Sequence, residues 1–178
     1  MKKKIKINNK KIFIRNLVLK DCNLSYVKWL NDPYINKWLE VRWKKQNIKS
    51  VRQFVKKMNK SNNNYLLKIF LKKEKKHIGN IKIGNIDYNN KSAEIGFFIG
   101  EKKYHGMGIA SQSIKLISAY CFGSLNLKYL FGQVYEQNIA SQKCFLKNKF
   151  VKSGYFRNKV VYMNKRTNLI YYEKLYKH

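Results

Sequence analysis

The sequence predicts a mixed α/β domain whose sheet carries one parallel strand pair beside a glycine-rich turn. Three observations lead there. The apolar run Ala93-Glu94-Ile95-Gly96-Phe97-Phe98-Ile99 passes into His105-Gly106-Met107-Gly108-Ile109-Ala110 and then into a segment of helical periodicity, the pattern of a strand, a tight turn and a helix. Adjacent strand patterns precede this point and strands alternate with helices after it, which gives a mixed sheet with a parallel pair flanking the turn. Finally, 178 residues, 44% of them apolar, suffice for one buried core. A single proline and the absence of a Ser/Gly-rich stretch leave no linker, so one domain over 1–178 is expected.

The elements follow in order. Lys11 to Arg15 reads as a first strand, and Asp21 opens a helix with Leu24, Val27 and Leu30 on one face. Asn31-Asp32-Pro33 ends that helix and starts a short one running through Trp38-Leu39. Ser50 to Met58 is amphipathic, with Val51, Phe54, Val55 and Met58 in one stripe, and these helices are expected to wall a substrate groove. Tyr65 to Leu71 and His77 to Ile83 read as neighbouring strands joined by a charged turn, and Gly84 to Asn90 as a polar loop. Ala93 to Ile99 is the next strand and Gly108 to Phe122 the helix after the turn. Tyr129 to Tyr135 is a strand, Asn138 to Lys147 a helix, and Phe150 to Arg157 and Asn168 to Tyr176 are closing strands.

The glycine turn has the chemistry of an anion cradle. Glycines let successive backbone N–H groups converge without side-chain obstruction, and the positive end of the following helix favours the same negative charge, so a pyrophosphate-bearing ligand is expected. A Walker turn needs Lys-Ser or Lys-Thr after its last glycine, but Ile109-Ala110 stands there. A dinucleotide fingerprint needs Gly or Ala where Ser111 stands, and an earlier place in the chain. The stretch resembles motif A of the GNAT acyl-CoA N-acyltransferases: Gln or Arg, two residues, Gly, one residue, then Gly or Ala. Gly108 and Ala110 fit, and His105 replaces the Gln or Arg. Downstream, Asn138-Ile139-Ala140-Ser141 through Phe145 to Lys149-Phe150 resembles motif B, with Lys149 where glycine is usual and Phe145 where many members carry a proton-donating tyrosine. The Ile14-Arg15 strand and the Asn31-Asp32-Pro33 turn are similar to those of the branch that acetylates protein N-termini and sugar amines.

This resemblance implies a three-layer fold around a largely antiparallel sheet with a splayed parallel pair, and acetyl-CoA as co-substrate with no metal. It implies that Phe98 and Ile99 offer backbone amides to the pantetheine arm and thioester carbonyl, and that His105, Gly106, Met107, Gly108, Ile109 and Ala110 cradle the pyrophosphate. It further implies that Asn138 contacts the arm; Lys143 could reach an outer phosphate. Glu94, a carboxylate inside an apolar strand, needs a polar partner and is a candidate base for the acceptor amine, with Glu136 second. Tyr135, Tyr104 and Tyr155 are candidate acids for the leaving thiolate. Arg42 is a candidate for an anionic acceptor group, since its guanidinium matches phosphate and carboxylate geometry, and His77 and Asn80 offer hydrogen bonds to a sugar.

Charge bears on the partner. With 39 Lys+Arg against 9 Asp+Glu the chain carries +30, but the lysines are spread over the whole length, so nucleic acid is not the expected partner. The field attracts phosphates and repels polyamines. The expected acceptor is therefore a small-molecule amine, a UDP- or other nucleotide-linked amino-deoxysugar of surface polysaccharide biosynthesis. A protein N-terminus is the alternative acceptor, and a non-catalytic CoA- or nucleic-acid-binding protein the alternative class. Cys22, Cys121 and Cys144 lack metal-ligand spacing. With no apolar run of membrane-spanning length and no signal-peptide core, a cytoplasmic location without membrane contact is expected, and a homodimer is compatible with the sequence.

Overall fold

A computed structural model describes residues 4–176. Eight strands form one sheet in the order β1-β2-β3-β4-β5-β6-β8-β7, from β1 (Lys6–Asn8), β2 (Ile12–Asn16), β3 (Tyr65–Leu71), β4 (Lys76–Asp87), β5 (Ser92–Ile99), β6 (Tyr129–Tyr135), β7 (Val151–Tyr162) and β8 (Lys165–Leu175). Every pairing is antiparallel except that of β5 with β6. The parallel pair holds only from Ser92↔Tyr129 to Glu94↔Phe131. Beyond Glu94 the strands part: β6 continues along β8 to Tyr135, and β5 continues along β4 to Ile99 with its other edge open.

Side chains alternate across β5, so its two faces serve two layers. Ala93, Ile95, Phe97 and Ile99 join the core under α4 (Ile109–Gly123), whose Ile109, Ile114, Ile117 and Cys121 are buried, and α5 (Ile139–Lys147), which contributes Phe145. Phe98 points the other way, into a second cluster beneath α1 (Leu24–Asn31), α2 (Pro33–Asn36) and α3 (Ile48–Lys60). Among these, Val51, Val55 and Met58 of α3 are buried at helical spacing, each stabilising by about 1.5–3 kcal/mol on full burial.

Local chemistry fixes the helix starts. The side chains of Asn23, Asp32 and Asn47 accept hydrogen bonds from the N–H groups of Tyr26, Tyr34 and Ser50, and Pro33 occupies the first turn of α2 where its missing N–H costs nothing. Asp32 also pairs with Lys102 at 2.7 Å, tying α2 to the segment that leads into the glycine turn. Trp29 of α1 lies flat against Gly100, where a Cβ would come within 2.1 Å of the indole, so the chain leaving β5 can approach α1 only as glycine.

Several sequence expectations are corrected. The segment 84–90 is not all loop, because β4 continues to Asp87 and carries the buried Ile86. The first helix starts at Leu24, since Asp21 sits in a preceding single turn. The closing strands are longer, joined by the two-residue turn Met163-Asn164 with φ of 49° and 60°. Among the described residues, no helix is long and apolar enough to cross a membrane, and no cluster of His, Cys, Asp and Glu could hold a metal.

Candidate active site

The divergence of β5 from β6 opens a cleft of about 460 Å³. It runs between α2, the C-terminal half of β5, the glycine turn and α5. The hydrogen-bonding parity of β5 decides what it offers. Gly100 N–H donates to the Ile78 carbonyl and Phe98 pairs with Asn80, so the amide and carbonyl of Phe98 face β4. Those of Phe97 and Ile99 therefore face the gap that β6 has left. The expected backbone edge is thus provided by Phe97 and Ile99, while Phe98 supplies its ring, stacked against Tyr26 at 6.4 Å between centroids.

At the end of β5, Gly106 and Gly108 take φ of +77° and +72°, a left-handed conformation costly for other residues, and nothing lies within 4 Å of where either Cβ would be. Gly108 precedes α4 without a side-chain cap, and the first intrahelical bond runs from Gln112 N–H to Gly108 O. The N–H groups of Ile109, Ala110 and Ser111 therefore have no helical acceptor. Glycines with open space above them and uncapped helix N–H groups fit a pyrophosphate. Met107 departs from the expectation: its side chain is 60% exposed and its N–H points back to the Tyr104 carbonyl.

From the other wall, Asn138 caps α5 by accepting from Ser141 N–H at 3.2 Å, which holds it at the cleft. Lys143 and Lys147 lie one turn apart and both line the cleft, as does Lys37 after α2. None of the three appears among the ion pairs of the described residues. His105 Nε2 donates to the Ile99 carbonyl at 2.9 Å, and its ring stacks on Tyr34 at 5.7 Å and 25°. The cleft-lining set adds Tyr34, Lys37, Trp38 and Leu39 from the α2 side and Ser141, Cys144 and Lys147 from α5, which the sequence reading left out. The α5 residues were within reach of helical periodicity continued from Asn138 and Lys143.

Of the remaining sequence candidates only Tyr104 lines the cleft, while Arg42, His77, Asn80, Glu94, Glu136, Tyr135 and Tyr155 lie outside its lining. Arg42 is 12% exposed and spends its terminal nitrogens on Leu39 O, Glu40, Tyr135 Oη and Val161 O, which ties the turn at 40–43 to β6 and β7. An anionic acceptor would have to displace those bonds. His77 and Asn80 are covered by α1: Trp29 meets the imidazole edge-on at 5.1 Å, His77 Nε2 lies 2.8 Å from Asn80 Oδ1, and burial pushes the imidazole pKa down. They face the second core, not a sugar. Glu94 finds its polar partner in Asn85, whose Nδ2 donates at 2.8 Å. It shares a face with Phe98, with Gly96 between them and open space above that glycine. Glu136 accepts from Tyr155 Oη at 2.9 Å and Asn168 Nδ2 at 2.7 Å. The three candidate acids each donate to a carboxylate already: Tyr135 to Glu40, Tyr104 to Glu74 and Tyr155 to Glu136.

A splayed parallel pair, an open strand edge and a glycine cradle at a helix N-terminus define an acyl-CoA-binding fold. The profile of the acetyltransferase (GNAT) domain matches residues 11–151, and the chain belongs to that family. It is 25% identical over 150 residues to an uncharacterized N-acetyltransferase p20 of Bacillus licheniformis, covering 83% of each chain. The fold is shared with spermidine N-acetyltransferase from Vibrio cholerae in complex with CoA and spermine, at TM-score 0.84 and 20% identity over 94% of this chain and 96% of that one. It is also shared with the microcin C7 self-immunity acetyltransferase MccE in complex with acetyl-CoA and AMP, at TM-score 0.81 and 22% identity over 94% of each. The protein is an acetyl-CoA-dependent N-acetyltransferase.

Proposed function

We propose that the chain transfers the acetyl group of acetyl-CoA to the primary amine of a nucleotide-linked amino-deoxysugar used in surface polysaccharide. The observation that carries the acceptor reading is the charge of the cleft. Its walls present Lys37, Lys143 and Lys147, and no carboxylate is among its described lining residues. Phosphates are attracted into such a site, whereas a polyamine would have only Glu94, beyond the cleft lining, to set against these cations. The neighbour with AMP bound supports a nucleotide-bearing acceptor; the neighbour with spermine bound favours the other choice.

In this reading the open edge at Phe97 and Ile99 orients the arm and its thioester, the turn at 106–110 holds the pyrophosphate, and the acceptor lies in the open space above Gly96. Glu94 borders that space, but four residues of strand place it roughly 13 Å from Phe98, so the amine proton reaches it along a file of several waters. No side-chain acid is required for the departing thiolate, because a thiol of pKa about 8.5 is a good leaving group. The test is a mass-spectrometric screen offering UDP-amino-sugars, peptides and spermidine side by side to wild-type protein and Glu94→Gln. Acetylated nucleotide sugar, slowed in the variant below pH 8, is the expected result. Acetylation of peptides alone would turn the reading to a protein N-terminal acetyltransferase, and intact acetyl-CoA binding with no acceptor would favour a non-catalytic protein.

A further inference from the structure

We propose that His105 is a placeholder for the pantetheine arm: its imidazole N–H occupies the backbone acceptor on β5 that the arm will use, and it hands that acceptor over when the co-substrate enters. The proposal starts from an obligation of the sheet. Once β6 leaves after Glu94, the Ile99 carbonyl stands on an open strand edge inside a cleft and needs a donor. His105 supplies it at 2.9 Å through Nε2, which as donor to a carbonyl carries a proton. An arm that adds to β5 as an extra strand brings an amide N–H to the same edge. The imidazole lies in its way, because the ring lines the cleft and is held there by its stack on Tyr34.

The exchange conserves one hydrogen bond and breaks one ring stack. Tyr34 belongs to α2, and α2 leads directly into Lys37, Trp38 and Leu39 on the opposite wall. Displacement of His105 therefore removes one contact of that wall, while the Asp32–Lys102 pair and the Lys102 ammonium over the Tyr34 ring keep α2 in place. A phosphate ligand at this position would behave differently: it would strengthen binding of the diphosphate half of CoA and would have no bond to a strand carbonyl.

Calorimetric titration of the full chain with two probes separates these roles. CoA carries the arm, whereas adenosine 3′,5′-bisphosphate carries phosphates without it. His105→Ala removes the competitor, so its affinity for CoA is expected to rise roughly three- to tenfold, the range of a single hydrogen bond, with affinity for the bisphosphate unchanged. In wild-type protein labelled with nitrogen-15 histidine, the His105 Nε2–H resonance is expected to move on addition of CoA and to stay in place with the bisphosphate. Weaker binding of both probes by His105→Ala, equal tightening of both, or no change in either would overturn the proposal, as would a His105 resonance indifferent to CoA. CoA binding by the wild-type protein reports on the co-substrate independently of this comparison.

Discussion

Asp21 shows how a single carboxylate can hold the acceptor-side layer to the sheet. Arg15 grips it with two hydrogen bonds of 2.8 and 2.7 Å, the buried Lys68 adds another at 3.0 Å, and Val18 N–H donates a fourth at 2.9 Å. Burial alone would raise the pKa of this group. The bonds from Arg15, Val18 and Lys68 outweigh burial and hold it at about 2, against 3.8 unperturbed. Because the folded-state pKa is the lower one, the stabilisation is complete above the unfolded value near 4 and is lost as pH falls toward 2. The size is about 2 kcal/mol. Urea unfolding at stepped pH is expected to show that loss in the wild-type protein and a flatter profile in Asp21→Asn. At pH 7 the same variant is expected to be less stable by about 3 kcal/mol, since it leaves Lys68 buried without its counter-charge.

At the scale of the element, α5 explains why position 145 carries no hydroxyl. Phe145 is 2% exposed and packs on Phe97, Phe150 and Tyr172, and a Cβ added at Gly132 would come within 2.2 Å of its ring tip. Helix and strand meet so closely that the ring ends on β6 backbone. Phe145→Tyr would drive a hydroxyl into Gly132 and not toward the cleft, so a thermal melt is expected to report a loss of about 1–3 kcal/mol and steady-state kinetics no gain in kcat. The sequence could show the missing tyrosine but not this packing, because the contact joins residues far apart in the chain. The same limit explains the candidates that moved. Turn glycines, caps and helix faces depend on near neighbours in sequence, and Gly106, Gly108, Asn138 and Lys143 all line the cleft. Arg42, His77 and Asn80 were chosen for side-chain chemistry, and their partners, Tyr135, Val161 and Trp29, come from distant segments that local pattern does not reveal. The parity of β5 depends in turn on its register with β4, which no single strand encodes.

Across the whole molecule the excess of cations is both a composition and a field, and the two readings make different predictions. A charge of +30 spread over one domain attracts a co-substrate with several phosphates from a distance, and salt screens that attraction with a length of about 10 Å at 0.1 M. Charges set at the cleft should matter more than the rest, since Lys143 and Lys147 line it whereas Lys56 and Lys57 lie exposed on α3. Stopped-flow association of acetyl-CoA is expected to slow about tenfold between 0.02 and 0.5 M NaCl, with the dissociation rate changing much less. Neutralising Lys143 and Lys147 together as glutamines is expected to remove a large part of that salt dependence, whereas the same change at Lys56 and Lys57 is expected to leave it near the wild-type slope. An association rate indifferent to salt in all three proteins would mean that the lysines are composition without electrostatic consequence, and the preference for a phosphate-bearing acceptor would lose its physical basis.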